Sequence, residues 1–281
     1  MSFADESLNQ SKEKNKIIFN TFTPLKNHQM ERKIISHLYT LSLTLAMLMI
    51  FLKCDAQMKH VDLSIYHLTG DFYIYTTYKP VDGNLIPSNS VYLLTDNGVV
   101  MFDTPWDSTQ FKPLEDSIWN KHHKKVALCI STHFHIDRTA GLEFLNQQGI
   151  KTYSSKQTYD LCSARNEKQA AFYFINDTVF KVGNHTFQTY YPGEGHSPDN
   201  IVIWFDKEKI LYGGCFVKST ENNSLGNIAD ANLKEWSISI SKTMKKFPEP
   251  KYVIPGHYSW ENNNGLKHSL ELLEENDHTH K

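Results

Sequence analysis

Along residues 61–255, short runs of Val, Ile, Tyr and Thr alternate with stretches in which apolar side chains recur every third or fourth position. This is the pattern of strands interleaved with amphipathic helices. Val61–Thr69, Asp71–Lys79, Ser90–Thr95 and Gly98–Asp103 read as strands, broken by Thr69-Gly70-Asp71 and by the tight-turn tripeptide Asp96-Asn97-Gly98. Between the second and third, Gly83 and two prolines mark Pro80–Ser88 as a loop whose tip carries the apolar Leu85 and Ile86. A helix is expected from Asp107, an acid able to cap it, since Phe111, Leu114 and Ile118 follow at helical spacing. Val126–Ile130 is a strand, Thr139–Gln148 and Lys156–Arg165 are helices, and Thr178–Val182, His185–Tyr191, Ile201–Phe205 and Ile210–Gly213 are strands. Asp230 is expected to cap a helix with Leu233, Trp236, Ile240, Met244 and Phe247 on one face, stopped by Pro248 and Pro250. Tyr252–Ile254 is then a short strand, and Leu266, Leu270 and Leu273 mark a closing helix. Two comparable halves predict an α+β chain built as a four-layer αβ/βα sandwich, with two sheets face to face and helices outside.

Residues before 57 follow a different pattern. Met1–Gln29 is polar and lacks a period, whereas Met30-Glu31-Arg32-Lys33 precedes the Leu-rich run Ile34–Leu52, and small residues flank a cut after Ala56. Residues 30–56 therefore read as a secretory signal peptide, 1–29 as a non-native extension upstream of the true start, and 57–281 as a single catalytic domain in the periplasm. A single membrane anchor is the competing reading of so long an apolar run. After cleavage no stable membrane association is expected, and the protein is expected to be a monomer.

Composition narrows the partners rather than the fold. With 29 basic against 31 acidic residues, the net charge of −2 gives no pull toward nucleic acid, so a small-molecule substrate fits better. After Ala56 only Cys129, Cys162 and Cys215 remain, an odd and widely spaced set that is no disulfide framework even in an oxidising compartment. Cys129 and Cys162 read as buried small hydrophobes.

Candidate chemistry collects where apolar strands end. His133, His135 and Asp137 follow Val126–Ile130, His196 lies in the Gly-flanked loop Tyr191–Asn200, Cys215 follows Gly213-Gly214, and His257 follows Tyr252–Ile254. One such residue is a weak signal; six at the same topological position suggest a metal centre. Six donors exceed one tetrahedral ion and suit two, each keeping a position for water or substrate, whereas a storage or structural site would close each ion with four protein ligands.

The segments His133-Phe134-His135-Ile136-Asp137-Arg138, Gly195-His196, Gly213-Gly214-Cys215, Lys218, Leu225-Gly226-Asn227 and Pro255-Gly256-His257 together resemble the class B metallo-β-lactamases. The resemblance is to the subclass with a three-His site and an Asp-Cys-His site, in its flavobacterial form, and runs from about Val61 to the last helix. Other hydrolases of this fold commonly carry His after the motif's Asp and a bridging Asp at the place of Cys215; Arg138 and Cys215 argue against those activities. Ser197-Pro198 departs from the more usual Thr followed by a small residue. The resemblance implies two Zn²⁺ per chain, with His133, His135 and His196 on one ion and Asp137, Cys215 and His257 on the other. It implies hydrolysis of the β-lactam ring of penicillins, cephalosporins and carbapenems, conferring antibiotic resistance. Asn227 would aid the oxyanion and help bind substrate, Lys218 would meet the substrate carboxylate, and Asp137 would be both ligand and proton carrier. Arg138 and Asp103 would orient the ligands, and Leu85, Ile86 and Trp106 would form an apolar wall.

Overall fold

In this computed structural model, the structure describes residues 32–44 and 63–279. Residues 32–44 form a helix, α1, that belongs to a unit separate from the one beginning at Val61. The expected extension 1–29 and the cut after Ala56 lie outside the described residues. Among the described residues no helix is long and apolar enough to cross a membrane.

The second unit contains two sheets. One has seven strands in sequence order: β1 (Leu63–Thr69), β2 (Phe72–Val81), β3 (Asn84–Thr95), β4 (Gly98–Phe102), β5 (Val126–Ile130), β6 (Lys151–Ser155) and β7 (Phe172–Phe174). The other has the order β12 (Tyr252–Pro255), β11 (Ile210–Gly214), β10 (Val202–Phe205), β9 (His185–Tyr190), β8 (Val179–Val182). The helices are α2 (Phe111–His122), α3 (Ile136–Thr139), α4 (Leu142–Gln147), α5 (Lys156–Ala164), α6 (Leu233–Lys246) and α7 (Gly265–Thr279).

Strand periodicity explains the layering. In β4, Val100 and Phe102 face the other sheet while Val99 and Met101 face outward; in β10, Ile203 and Phe205 point in while Val202 and Trp204 point out. The inward set of both sheets makes one core containing Phe72, Ile74, Leu93, Ile130, Phe187, Tyr212 and Ile254. Leu114 and Ile118 of α2 and Leu142 and Leu145 of α4 cover the outer face of the first sheet. Trp236 and Ile240 of α6 with Leu266 and Leu273 of α7 cover that of the second. The four-layer αβ/βα sandwich is therefore the fold.

Several local expectations give way. Pro80–Ser88 is not a loop: β2 and β3 pair through to Val81↔Asn84 across the two-residue turn Asp82-Gly83, both at positive φ (48° and 79°). The prolines are tolerated because the hairpin outruns its neighbours, β1 pairing only to Thr77 and β4 only to Val91, so the ladder beyond has open edges. The helix expected at Thr139–Gln148 is two pieces. Gly141 breaks it where its N–H donates to Thr104 Oγ1 at 2.9 Å and where a side chain would meet Thr104. Asp107 does cap, accepting from Thr109 N at 2.9 Å, but it caps a single 3-10 turn ahead of α2. The cap of α6 is Asn232, which accepts from Glu235 N, not Asp230. Strands β6 and β7 have no counterpart in the predicted elements: β6 is short and built from Lys, Thr, Tyr and Ser, and β7 is only the three residues Phe172–Phe174.

Candidate metal centre

The six candidate ligands do converge. His133 and His135 leave β5, Asp137 sits in the first turn of α3, His196 lies between β9 and β10, and Cys215 and His257 follow the parallel pair β11 and β12. His133 Nε2 lies 3.2 Å from His135 Nδ1, and that atom lies 3.1 Å from His196 Nε2, so three ring nitrogens face one point. Asp137 Oδ2, Cys215 Sγ and His257 Nε2 form a second triangle with sides of 3.2, 3.3 and 3.2 Å. Donor atoms of His133, Asp137 and Cys215 also lie within 4.8 Å of one another, so the two triangles abut.

Burial sets the protonation of these groups. It holds the imidazoles of His133 and His196 well below their ordinary pKa, and that of His257 below it, which keeps all three neutral. Burial works against the ionised form of Asp137, yet Arg138 and His257 hold that carboxyl well below the usual carboxylate range. Neutral imidazoles and a carboxylate are the metal-binding states of these side chains. Cys215 differs: burial pushes its thiol up, against the pull of Arg138. A thiolate there requires a metal to displace the proton. Imidazole, carboxylate and thiolate together suit a borderline ion such as zinc, so the residues fit the group.

Five of the six candidate ligands are held from behind, whereas His196 Nδ1 is buried without a hydrogen-bond partner among the described residues. Arg138, with 0 % exposure, contacts Asp137 Oδ2 through Nε at 3.0 Å and Cys215 Sγ through Nη2 at 3.0 Å. The same guanidinium donates to the carbonyls of Asn89 and Gly256 at 2.8 and 2.9 Å, tying the second triangle to β3 and to the loop after β12. His257 Nδ1 faces Pro87 O at 2.7 Å, which fixes the tautomer that leaves Nε2 toward the site. Asp103 accepts from Thr132 N (2.6 Å), Thr132 Oγ1 (2.9 Å) and Tyr212 OH (2.5 Å), locking the segment that delivers His133. Burial raises the Asp103 carboxyl to about 6, with Arg138 opposing. His135 Nε2 meets Asp230 Oδ2 at 3.0 Å.

Asp230 is the functional contact that sequence reasoning misses. As an acid just before an amphipathic helix it reads as a cap, yet that role falls to Asn232 and its carboxylate turns to His135 instead. Thr132 and Tyr212 are likewise ordinary strand and strand-end residues by type. A weak signal existed for Thr132 only, as the neighbour of His133.

The remaining expected residues are placed less decisively. Lys218 is buried, with Nζ 5.1 Å from the centre of the Trp236 ring, and Trp236 in turn lies 5.8 Å from the His196 ring. Burial lowers the Lys218 pKa. Asn227 is exposed and its Oδ1 accepts from Ala229 N at 3.1 Å within its own loop. Trp106 stands edge-on to His257 with ring centres 5.7 Å apart. Leu85 is exposed and Ile86 half-buried on the β2–β3 hairpin. Cys129 and Cys162 are free and buried, as expected.

One position permits a sharp prediction. A Cβ on Gly256 would lie 2.6 Å from Cys215 N and 2.7 Å from Gly214 C, backbone atoms that cannot move aside. Gly256→Ala is expected to cost about 1–3 kcal/mol of stability, the usual penalty for overpacking, and to displace His257. Thermal melts and metal content of the variant check this; a wild-type melting temperature would contradict it.

Comparison with known proteins agrees with this geometry. A family model described as the metallo-beta-lactamase superfamily matches residues 83–257. The chain is 42% identical over 214 residues, 76% of its length and 86% of the relative's, to the metallo-beta-lactamase type 2 of Elizabethkingia meningoseptica. It is 36% identical over 206 residues to metallo-beta-lactamase IND-1 of Chryseobacterium indologenes, covering 73% of this chain and 86% of that one. Among solved structures, metallo-beta-lactamase IND-7 aligns with a TM-score of 0.74 at 36% identity, over 78% of this chain and all of the other (100%). The metallo-beta-lactamase from Pontibacter korlensis aligns at 0.74 and 33%, covering 76% of this chain and 99% of that one.

Proposed function

The chain belongs to the metallo-beta-lactamase superfamily, and on that premise we propose that it hydrolyses the β-lactam ring of penicillins, cephalosporins and carbapenems using two zinc ions. The observation that carries the reading is the pair of abutting triangles, His133-His135-His196 and Asp137-Cys215-His257, each of three donors, so that each ion keeps an open position. Zinc supplies Lewis acidity, polarising the amide carbonyl and activating water toward it.

The protein's own residues supply the rest. His133, His135 and His196 would hold one ion and Asp137, Cys215 and His257 the other. Arg138 spans Asp137 and Cys215 and so fixes the spacing of the second triangle. Asp137, kept ionised by Arg138 and His257, would take up the proton released by the attacking water and pass it to the departing amide nitrogen. The Lys218 ammonium pairs with the substrate carboxylate; its burial leaves it poorly solvated and so readily matched by an anion. Asn227 donates its amide to the substrate and the developing oxyanion, the acceptor half being already engaged within its loop. Val81 and Leu85 at the hairpin, with Trp106 beside His257, offer apolar contact to substituents of the drug. We read residues 57–281 as the exported domain, acting as a monomer in the periplasm after removal of residues 30–56, and the activity as one that confers β-lactam resistance.

A zinc-loaded preparation is expected to turn over a chromogenic cephalosporin, and a panel of the three drug classes gives its spectrum. A folded, zinc-loaded protein inert to every class would overturn the reading.

A further inference from the structure

We propose that Arg165, an exposed residue just beyond α5, is a positioning residue for the three-histidine site and sets how tightly that site holds its metal by fixing Asp230. The inference rests on the metal reading above and concerns a residue that contributes no ligand.

Arg165 Nη2 lies 3.0 Å from Asp230 Oδ1, while Asp230 Oδ2 lies 3.0 Å from His135 Nε2, so one carboxylate bridges the guanidinium and the imidazole. The same guanidinium lies 5.7 Å from the centre of the Phe134 ring, and that ring packs against His135 with centres 4.4 Å apart. Two of the groups that contact the His135 ring, Asp230 and Phe134, thus meet the side chain of Arg165. The backbone around Asp230 is irregular, in the stretch between β11 and α6; it is tied locally through Ala231 N to Ile228 O and, across the fold, through Asn232 N to Gly195 O beside His196, and neither bond engages the Asp230 carboxylate. The carboxylate therefore depends on its two charged or polar partners for its direction.

A carboxylate on the outer nitrogen of a ligating histidine fixes the ring's tautomer and orientation and raises its basicity, and losing such a partner typically costs about 10–100-fold in metal affinity. Arg165 acts one step further out and is 57% exposed, where ion pairs are screened. Its loss is expected to weaken the three-histidine site by a smaller factor, about 3–10-fold, and to leave the Asp137-Cys215-His257 site unchanged. The backbone N–H of Arg165 closes α5 on Leu161 O at 2.9 Å whatever the side chain, so the substitution leaves that helix end intact.

The test is a double-substitution cycle on the full chain, with Arg165→Gln, Asp230→Asn and the pair, titrated with Co²⁺ after metal removal. Absorption from the Cys215 thiolate to cobalt reports the second site, and the remaining cobalt bands report the first. Lys156→Gln, which removes the exposed Lys156–Asp160 pair from the same helix, serves as the control. The expected result is selective weakening of the three-histidine site by Arg165→Gln, no effect of the control, and little further loss when Arg165→Gln is added to Asp230→Asn. Wild-type affinity in Arg165→Gln, equal weakening of both sites, or losses that simply add in the pair would overturn the proposal. A wild-type chain that binds no cobalt at all would instead overturn the metal reading beneath it.

Discussion

Replacing Arg138 with methionine is expected to lower stability by about 3–5 kcal/mol and to empty the Asp137-Cys215-His257 site. The side chain is fully enclosed and its guanidinium meets seven groups on four segments: Asn89 O, Ser90 Oγ, Tyr212 OH, Cys215 Sγ, Gly256 O, His257 Nε2 and Asp137 Oδ2. Methionine fills much of the volume but returns none of those contacts; the two carbonyls keep one bond each, from Tyr212 OH and Asn89 N, while the buried Asp137 carboxylate loses its counter-charge. Asp103, whose Oδ2 is 3.6 Å from Arg138 Nη1, also loses the positive charge that opposes its burial, so its carboxyl moves up from about 6. Chemical denaturation with and without zinc checks both parts. A variant of wild-type stability that still binds metal at both sites would mean the guanidinium is incidental.

Cys215→Ser is expected to separate chemistry from folding. Serine keeps the size and can still donate toward Asp137 Oδ2, 3.2 Å from the sulfur in the native chain, so the metal-free protein should lose at most about 1 kcal/mol. What disappears is the thiolate, the donor that the second ion alone can stabilise against the burial that pushes this thiol up. If that ion contributes several kcal/mol of charge stabilisation in the transition state, turnover should fall on the order of 10²–10³-fold. Steady-state kinetics at saturating zinc beside a melt of the metal-free variant checks the division. A large stability loss with turnover preserved would point to a structural role for the cysteine.

The fold and the convergence of the six candidate donors were legible in the sequence for a common reason. Apolar runs that end in His, Asp or Cys announce both a buried strand and a donor at its tip, and β5, β11 and β12 follow that rule. The exposed and polar elements were harder. Lys151–Ser155 and Phe172–Phe174 lie in the sheet although only Thr152 and Ser154 among them are buried, and the hairpin at Asp82-Gly83 was obscured by prolines that an open-edged ladder tolerates. Asp230 was hidden by ambiguity of type. Acids and amides before a helix all suit a cap, and only the fold reveals that Asn232, two positions on, takes that role and frees the carboxylate for His135. Arg138 was legible as a support for the ligands because its neighbour Asp137 already had a place. That it reaches across to Asn89 and Gly256 depends on contacts between segments 49 and 118 residues apart.

The central claim is that these six donors hold two zinc ions and that the ions carry β-lactam hydrolysis. Its most direct test is to strip the full chain with a chelator and add Zn²⁺ stepwise while following bound metal and turnover of a chromogenic cephalosporin in the same samples. The account predicts no turnover without metal, recovery as zinc is added, and saturation of binding at two ions per chain. Turnover that survives complete metal removal, or saturated binding without any hydrolysis, would contradict it.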